Sequence, residues 1–316
     1  MPLVFFIQKQ CSSGPAGDRL ASQLLVGAKM KKICAITGGN GYVGSCVKKF
    51  FTVRGWEIFE LTRRPRPGSR AFQFQLGDDL SPDLLSGVTA FVHCAYDFAP
   101  LRWDDILAVN VEGSRKILKA ARAAGVPKIV FISSISAYDG CRSLYGKAKL
   151  EIEKFALANG ILVVRPGLVY GGEAGGMFGK LSEKMKKSAI VPLIGNGSQI
   201  QFLVHNEDLC AFLEKFASGN IEPPPGVLTA ANEQPWPFKN LILEIARAQG
   251  KKPTLIPVPW RAVWLALKTA EACGLKLNFR SDSLVSLMYQ NPKPDFSANA
   301  RAGLVCRPFD LQSLKN

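Results

Sequence analysis

Tyr145 and Lys149 stand four residues apart in SLYGKAKLEIEKF, a segment whose apolar residues recur at helical spacing. That interval places both side chains on one face of a helix. A phenol that ionises near pH 10 is a poor base at neutral pH, but a lysine ammonium one turn away and an oxidised nicotinamide nearby both favour the phenolate. Tyr145 can then exchange a proton with a hydroxyl or carbonyl oxygen while hydride passes to or from a nicotinamide. Ser134 closes the apolar run KIVFISS and is expected to hydrogen-bond the same oxygen. Tyr-x-x-x-Lys alone also describes a solvated helix face with a core tyrosine, so its weight comes from the motifs around it.

The strongest of those motifs is KICAITGGNGYVGSCVKKF, which sets Gly38, Gly41 and Gly44 between an apolar strand and an amphipathic helix. In that context a strand runs into a tight turn where backbone amides and a helix N-terminus can face a pyrophosphate. Asn40, Tyr42 and Val43 belong to the same turn and are expected to touch the cofactor with the glycines. The next strand, WEIFEL, ends in Thr62-Arg63-Arg64, where an acid would bind the ribose of NAD. A missing acid and two guanidiniums favour NADP(H) over NAD(H), although surface arginines would read the same. Asp78 and Asp79 follow the third strand, with Asp78 expected near the adenine, and Cys94, Ala95 and Tyr96 carry the fourth strand to the edge where ligands bind. His93 lies inside that strand and is expected to be a buried structural histidine.

These residues need a scaffold of alternating strands and helices. Strands are predicted at 32–37, 56–61, 71–75, 89–95, 128–133 and 161–165, with helices at 42–54, 103–124 and 143–158. The pattern is that of an α/β fold, a Rossmann-type doubly wound parallel sheet with a small C-terminal substrate-binding lobe. The expected division is a dinucleotide-binding domain over 31–165, then 166–316 mainly as substrate lobe with some segments returning to the sheet. Gly171, Gly172, Gly175 and Gly176 predict a mobile loop, and Pro223-Pro224-Pro225 a break before a strand at 227–231. Helices at 238–249 and 260–272 flank a strand at 253–258, and 294–316 reads as an irregular tail. Residues 1–30 read as a disordered extension or a mis-assigned start, because Met30 directly precedes the first strand.

Composition sets the outer limits. At 316 residues and 47% hydrophobic, the chain can bury a sizeable core. No run reaches the roughly 18 apolar residues of a membrane span. Eight cysteines without a C-x-x-C pair indicate reduced thiols and a cytoplasmic setting. With two histidines and no second ligand at zinc spacing, no metal is expected. The net charge of +15 admits nucleic acid, an anionic membrane surface or phosphorylated small molecules as partners. The basic residues sit in short clusters interrupted by acids, which favours solvated helix faces over a nucleic-acid surface.

In the order TGGNGYVG, GDD, SSISAY, YGKAK, RPGLVYG and LVHNEDL, residues 31–260 resemble the NAD-dependent epimerase/dehydratase family of extended short-chain dehydrogenases/reductases. The resemblance implies that Gly38, Gly41 and Gly44 hold the pyrophosphate, Asp78 meets adenine, and Lys149 holds the nicotinamide ribose. It also implies that Ser134 and Tyr145 meet the reacting oxygen and that Pro166 and Gly167 flank the nicotinamide amide. Sugar 4,6-dehydratases of the family carry an Asp-Glu pair after the catalytic Ser/Thr, where this chain has Ile135-Ser136. Dehydration is therefore disfavoured. Nucleotide-sugar members often place an arginine where Gln201 stands, although Arg280 can supply a phosphate contact. The expected activity is an NAD(P)-dependent oxidoreductase acting on a carbonyl or secondary alcohol of a small molecule, with a nucleotide-linked substrate left open. A nucleotide-sugar epimerase with retained NAD is the alternative, and a non-catalytic dinucleotide- or RNA-binding scaffold a further one. Oligomeric state is open, with a homodimer considered.

Overall fold

The computed structural model describes residues 31–311 apart from 173–174, 223–224, 276 and 278. The expectations for residues 1–30 and for the last residues of the tail lie outside the described residues.

Among the described residues, short apolar runs form thirteen strands: β1 (Ile33–Thr37), β2 (Glu57–Thr62), β3 (Ala71–Gln73), β4 (Ala90–His93), β5 (Lys128–Ile132), β6 (Leu162–Pro166), β7 (Leu168–Tyr170), β8 (Ile190–Ile194), β9 (Ile200–Gln201), β10 (Leu203–His205), β11 (Val227–Ala230), β12 (Trp236–Pro237) and β13 (Thr254–Val258). Seven of them pair in the order β11-β6-β5-β4-β1-β2-β3, every pair parallel. The order reverses between β1 and β4, and a crevice opens there at the carboxyl ends of the strands.

The helices are α1 (Tyr42–Val53), α2 (Trp103–Ile106), α3 (Gly113–Ala123), α4 (Leu144–Ala158), α5 (Gly176–Lys187), α6 (Asn206–Ala217), α7 (Phe238–Ala248), α8 (Trp260–Ala272), α9 (Ser281–Met288) and α10 (Ser297–Arg301). Successive strand residues serve opposite faces of the sheet, as a period of two requires. Cys34 and Ile36 of β1 pack with Phe51 of α1 and Leu213 of α6, whereas Ile33 and Ala35 pack with Leu118 of α3 and Ile152 of α4. Each fully buried Phe or Leu in these layers contributes about 2–3 kcal/mol. A separate cluster joins Tyr170, Phe178, Leu241, Ile245 and Phe309.

The structure departs from expectation at two places. The helix predicted over 103–124 is interrupted by a π-helical run at Leu107–Glu112, which joins α2 to α3. The predicted irregular tail contains α10, and Leu304, Phe309 and Leu311 are buried, because their apolar side chains dock singly on distant elements rather than on a repeating face. The described glycines of the 171–176 loop approach neighbouring side chains closely. A Cβ on Gly171 would lie 2.4 Å from His205 Nε2, and one on Gly175 2.3 Å from the Tyr42 ring.

Candidate active site

The turn after β1 is built by close backbone approach. Gly38 has φ +70°, and a Cβ there would sit 2.7 Å from the Ala95 nitrogen. A Cβ on Gly44 would meet the Gly38 carbonyl oxygen at 2.3 Å, so α1 can start against the turn only if this residue is glycine. Gly41 donates its N–H to Gly38 O at 2.9 Å and caps α1 with no side-chain bond and no acid in the first turn. The orphan N–H groups and positive end of α1 suit a pyrophosphate, so this cradle fits a dinucleotide. Tyr42 extends the cradle to the opposite wall, its hydroxyl donating to Gly171 O at 2.6 Å.

The end of the cradle nearest β2 is polar and open. Asn40 Nδ2 donates to Thr62 Oγ1 at 3.1 Å, joining the glycine turn to the end of β2. Arg63 reaches Asp97 at 3.9 Å with two thirds of its side chain exposed, and Arg64 is exposed beside it. Asp78 turns its carboxylate onto the N–H of Gln75 at 2.7 Å, and the solvated Asp79 pairs with Lys116 at 3.0 Å. His93 is fully buried between Thr37 Oγ1 at 2.6 Å and Ser114 Oγ at 2.8 Å. Burial holds its imidazole down to about 3, so it stays neutral.

Ser134, Tyr145 and Lys149 come together at the carboxyl ends of β5 and β6. Lys149 is 2% exposed and donates from Nζ to the Ile132 carbonyl at 2.8 Å. Burial lowers it to about 8, while Cys94 and Glu153 pull it back up. Tyr145 is pushed up to about 12 by burial, opposed by a hydrogen bond with the Ser134 hydroxyl. The phenol packs edge-on to Tyr96 at 4.8 Å and stacks on Phe98 at 5.7 Å, so these rings cover part of it and leave the rest facing the cavity.

A cavity of about 360 Å³ opens over this set, lined by Ser134 and Tyr145, by Pro166 and Gly167, and by Phe98, Ile106, Leu168, Met177 and Leu287. Ile135, Ser136 and Gln201 also line it, so the positions where dehydratases and nucleotide-sugar enzymes differ do face this space. Ser136 bonds Ser286 at 2.9 Å, and Gln201 accepts from Gln290 at 3.3 Å. Arg280 is the one cation among the described lining residues, and its guanidinium donates to Phe98 O and, at 2.9 Å, to Pro100 O.

Three supporting residues escaped the sequence reading. Asn110, buried in the π-helical run, donates to Asp97 O at 2.9 Å and accepts from Asp97 N at 2.7 Å, fixing the loop that carries Tyr96 and Phe98. A π-helical insertion often marks such a functional position. Glu153, one turn beyond Lys149, accepts from Ser133 and from Arg165 Nε at 2.8 Å, bracing the ends of β5 and β6. Asp282 accepts from the N–H groups of Leu144 and Tyr145. Asn110 and Asp282 had no local signal. Glu153 could have been found as the next i+4 member of the Tyr145, Lys149 face.

A doubly wound sheet with a glycine cradle at its switch point and a Ser, Tyr, Lys set beside it defines a dinucleotide-dependent oxidoreductase. The chain belongs to the NAD dependent epimerase/dehydratase family, whose sequence profile matches residues 34–221. It is 28% identical over 242 residues to a ceramide reductase of Caulobacter vibrioides, covering 72% of this chain and 74% of that protein. It is 29% identical over 198 residues to a UDP-glucose 4-epimerase of Vibrio cholerae, covering 52% of this chain and 60% of the epimerase. In fold it is similar to MoeE5 in complex with UDP-glucuronic acid and NAD, with a TM-score of 0.61, 22% identity, and coverage of 72% of this chain and 85% of the other. The chain is an enzyme of the NAD-dependent epimerase/dehydratase type, and nucleotide-sugar enzymes are among its neighbours.

Proposed function

We propose that this chain is an NADP(H)-preferring reductase of a carbonyl borne on a largely apolar small molecule, with Tyr145 as the proton donor. The observation that carries this reading is the meeting of Ser134, Tyr145 and the buried Lys149 beside one cavity. When bound, the nicotinamide supplies hydride to the carbonyl carbon. Ser134 Oγ and Tyr145 Oη hold the carbonyl oxygen, and Tyr145 Oη gives it a proton. Burial keeps this hydroxyl protonated at neutral pH, so it has a proton to give. Lys149, near 8, can hold or release a proton in the same range and would hold the ribose.

The substrate class follows from the walls. The cavity is predominantly apolar, as small-molecule sites are, and its one described cation already donates to two backbone carbonyls. One cation, with only its Nε still without a partner, is poor provision for a diphosphate and argues against a nucleotide-sugar epimerase. No disulfide joins the seven described cysteines, which supports a reducing, cytoplasmic setting.

The test is consumption of NADPH by the purified chain against a panel running from long-chain and alicyclic ketones to nucleotide-linked keto-sugars. Turnover confined to the apolar ketones, lost in Tyr145→Phe by roughly two orders of magnitude or more, is expected. Turnover with the keto-sugars alone, or a fully active Tyr145→Phe, would overturn the reading.

A further inference from the structure

None of the thirteen residues of α8 is buried, although it contains Trp260, Val263, Trp264, Leu265 and Leu267. An isolated helix of that length is marginal in water and draws its stability from packing an apolar face. Here packing is one-sided and thin. The Trp260 ring meets Tyr289 edge-on at 5.8 Å, and Glu271 holds the start of α9 by accepting from Ser281 N at 2.8 Å and Ser281 Oγ at 2.7 Å. Leu265 and, just beyond the helix, Leu275 are 61% and 59% exposed. On the preceding strand pair Ile256 lies opposite Pro192, two register steps from the Ile190–Thr254 pair, and Ile190 and Ile256 are both exposed.

The charge around this surface has one sign. Lys251, Lys252, Arg261 and Lys268 are exposed, and the only acid between Lys251 and Arg280 is Glu271, which is turned onto Ser281. We propose that α8 and its flanks dock on an anionic lipid bilayer, lying in the interface with Leu265 and Leu275 in the acyl boundary and the cations among the headgroups. A helix of about 20 Å is too short to span a bilayer, and no described helix is long and apolar enough to do so. Cationic flanks and an exposed apolar face suit an interfacial helix. A second copy of the chain is a poorer occupant, because two such surfaces would bring like charges together.

Docking here has a consequence for the site. α9, braced against α8, contributes Ser283, Ser286 and Leu287 to the cavity wall, so the bilayer would lie beside the cavity's C-terminal side. Uptake of an apolar ketone from the membrane rests on the function proposed above, but the docking itself does not.

The experiment is flotation of the full chain with vesicles of phosphatidylcholine alone or mixed with phosphatidylglycerol, which requires no turnover. The chain should float with the anionic vesicles, be released by added salt, and bind phosphatidylcholine only weakly. Two paired variants, Leu265→Glu with Leu275→Glu and Arg261→Glu with Lys268→Glu, should each lower binding by at least about tenfold. Both should keep the wild-type circular dichroism, since all four side chains are exposed. As an independent reading on the unaltered chain, brominated lipids should quench tryptophan emission through Trp260 and Trp264. Failure to float with anionic vesicles, unchanged binding by both variants, or dimerisation through these residues without vesicle binding would each overturn the proposal.

Discussion

The carboxylate of Asp282 accepts the backbone N–H of Tyr145 at 3.0 Å, and its other oxygen accepts the N–H of Leu144 at 2.7 Å. A residue at the start of α9 thereby closes the N-terminus of α4, the helix that carries the phenol. Ser143 completes the cap by accepting from Gly146 N at 3.1 Å. The acid satisfies two donors that a helix end leaves orphaned and complements the positive end of its dipole. The position of the Tyr145 side chain thus depends on the C-terminal part of the chain.

Asp282→Ala should accordingly lower stability by roughly 1–2 kcal/mol, the usual worth of a cap with a favourable dipole contact. Urea titration measures that loss. Turnover should fall more than apparent substrate affinity, because the residue positions the proton donor. Asp282→Asn, which retains an acceptor, should recover much of both. A variant with wild-type kcat and lowered stability would reduce Asp282 to a purely structural cap.

Lys149 is held near 8 by burial, against an ordinary value near 10.5 in the unfolded chain. Between those values the unfolded state binds more protons, so this residue's contribution to stability should rise as pH increases from about 8 to about 10.5. Below that window the full cost of burying the ammonium is present. Lys149→Met should flatten this slope while weakening both NADPH binding and turnover. Tyr145→Phe should leave cofactor binding nearly intact. Equal effects of the two substitutions on cofactor affinity would contradict their separate roles.

His93 works in the opposite pH range. It is neutral in the fold down to about pH 3, whereas an unfolded histidine protonates near 6.5, so the unfolded state gains protons first on acidification. Stability should fall by about 2 kcal/mol between pH 7 and pH 5 from this group alone. His93→Gln, compared with wild type by denaturant midpoint across that range, should show a shallower loss. Parallel acid profiles would assign the acid sensitivity to other groups.

For the cofactor, Thr62, Arg63 and Arg64 at the end of β2 should give NADP(H) the tighter binding in calorimetric titration. Arg63→Ala with Arg64→Ala should remove most of the difference while leaving NAD(H) nearly unchanged, since only the 2′-phosphate is addressed. An NAD preference in the wild-type chain would exclude this role for the arginines.

Local spacing was enough to determine part of this architecture. The strand, glycine turn and helix at 33–53 follow from one contiguous segment, because only residues without a side chain allow Gly38 and Gly44 to approach the Ala95 backbone and the Gly38 carbonyl so closely. Tyr145 and Lys149 share a face by helical period alone, and the parallel sheet follows from the alternation of apolar strands and helices.

What the sequence by itself could not determine depended on partners far along the chain. The spacing of Tyr145 and Lys149 places them on one face, but the burial that pushes the phenol up is set by packing, with Tyr96 and Phe98 against its ring. The role of Asp282 arises 137 residues from Tyr145, and the docking of Phe309 on Tyr170 joins segments that show no common periodicity. α8 has the composition of a core helix, yet none of its residues is buried. Periodicity reports which residues share a face of an element, whereas what that face meets is decided only when the chain has closed on itself.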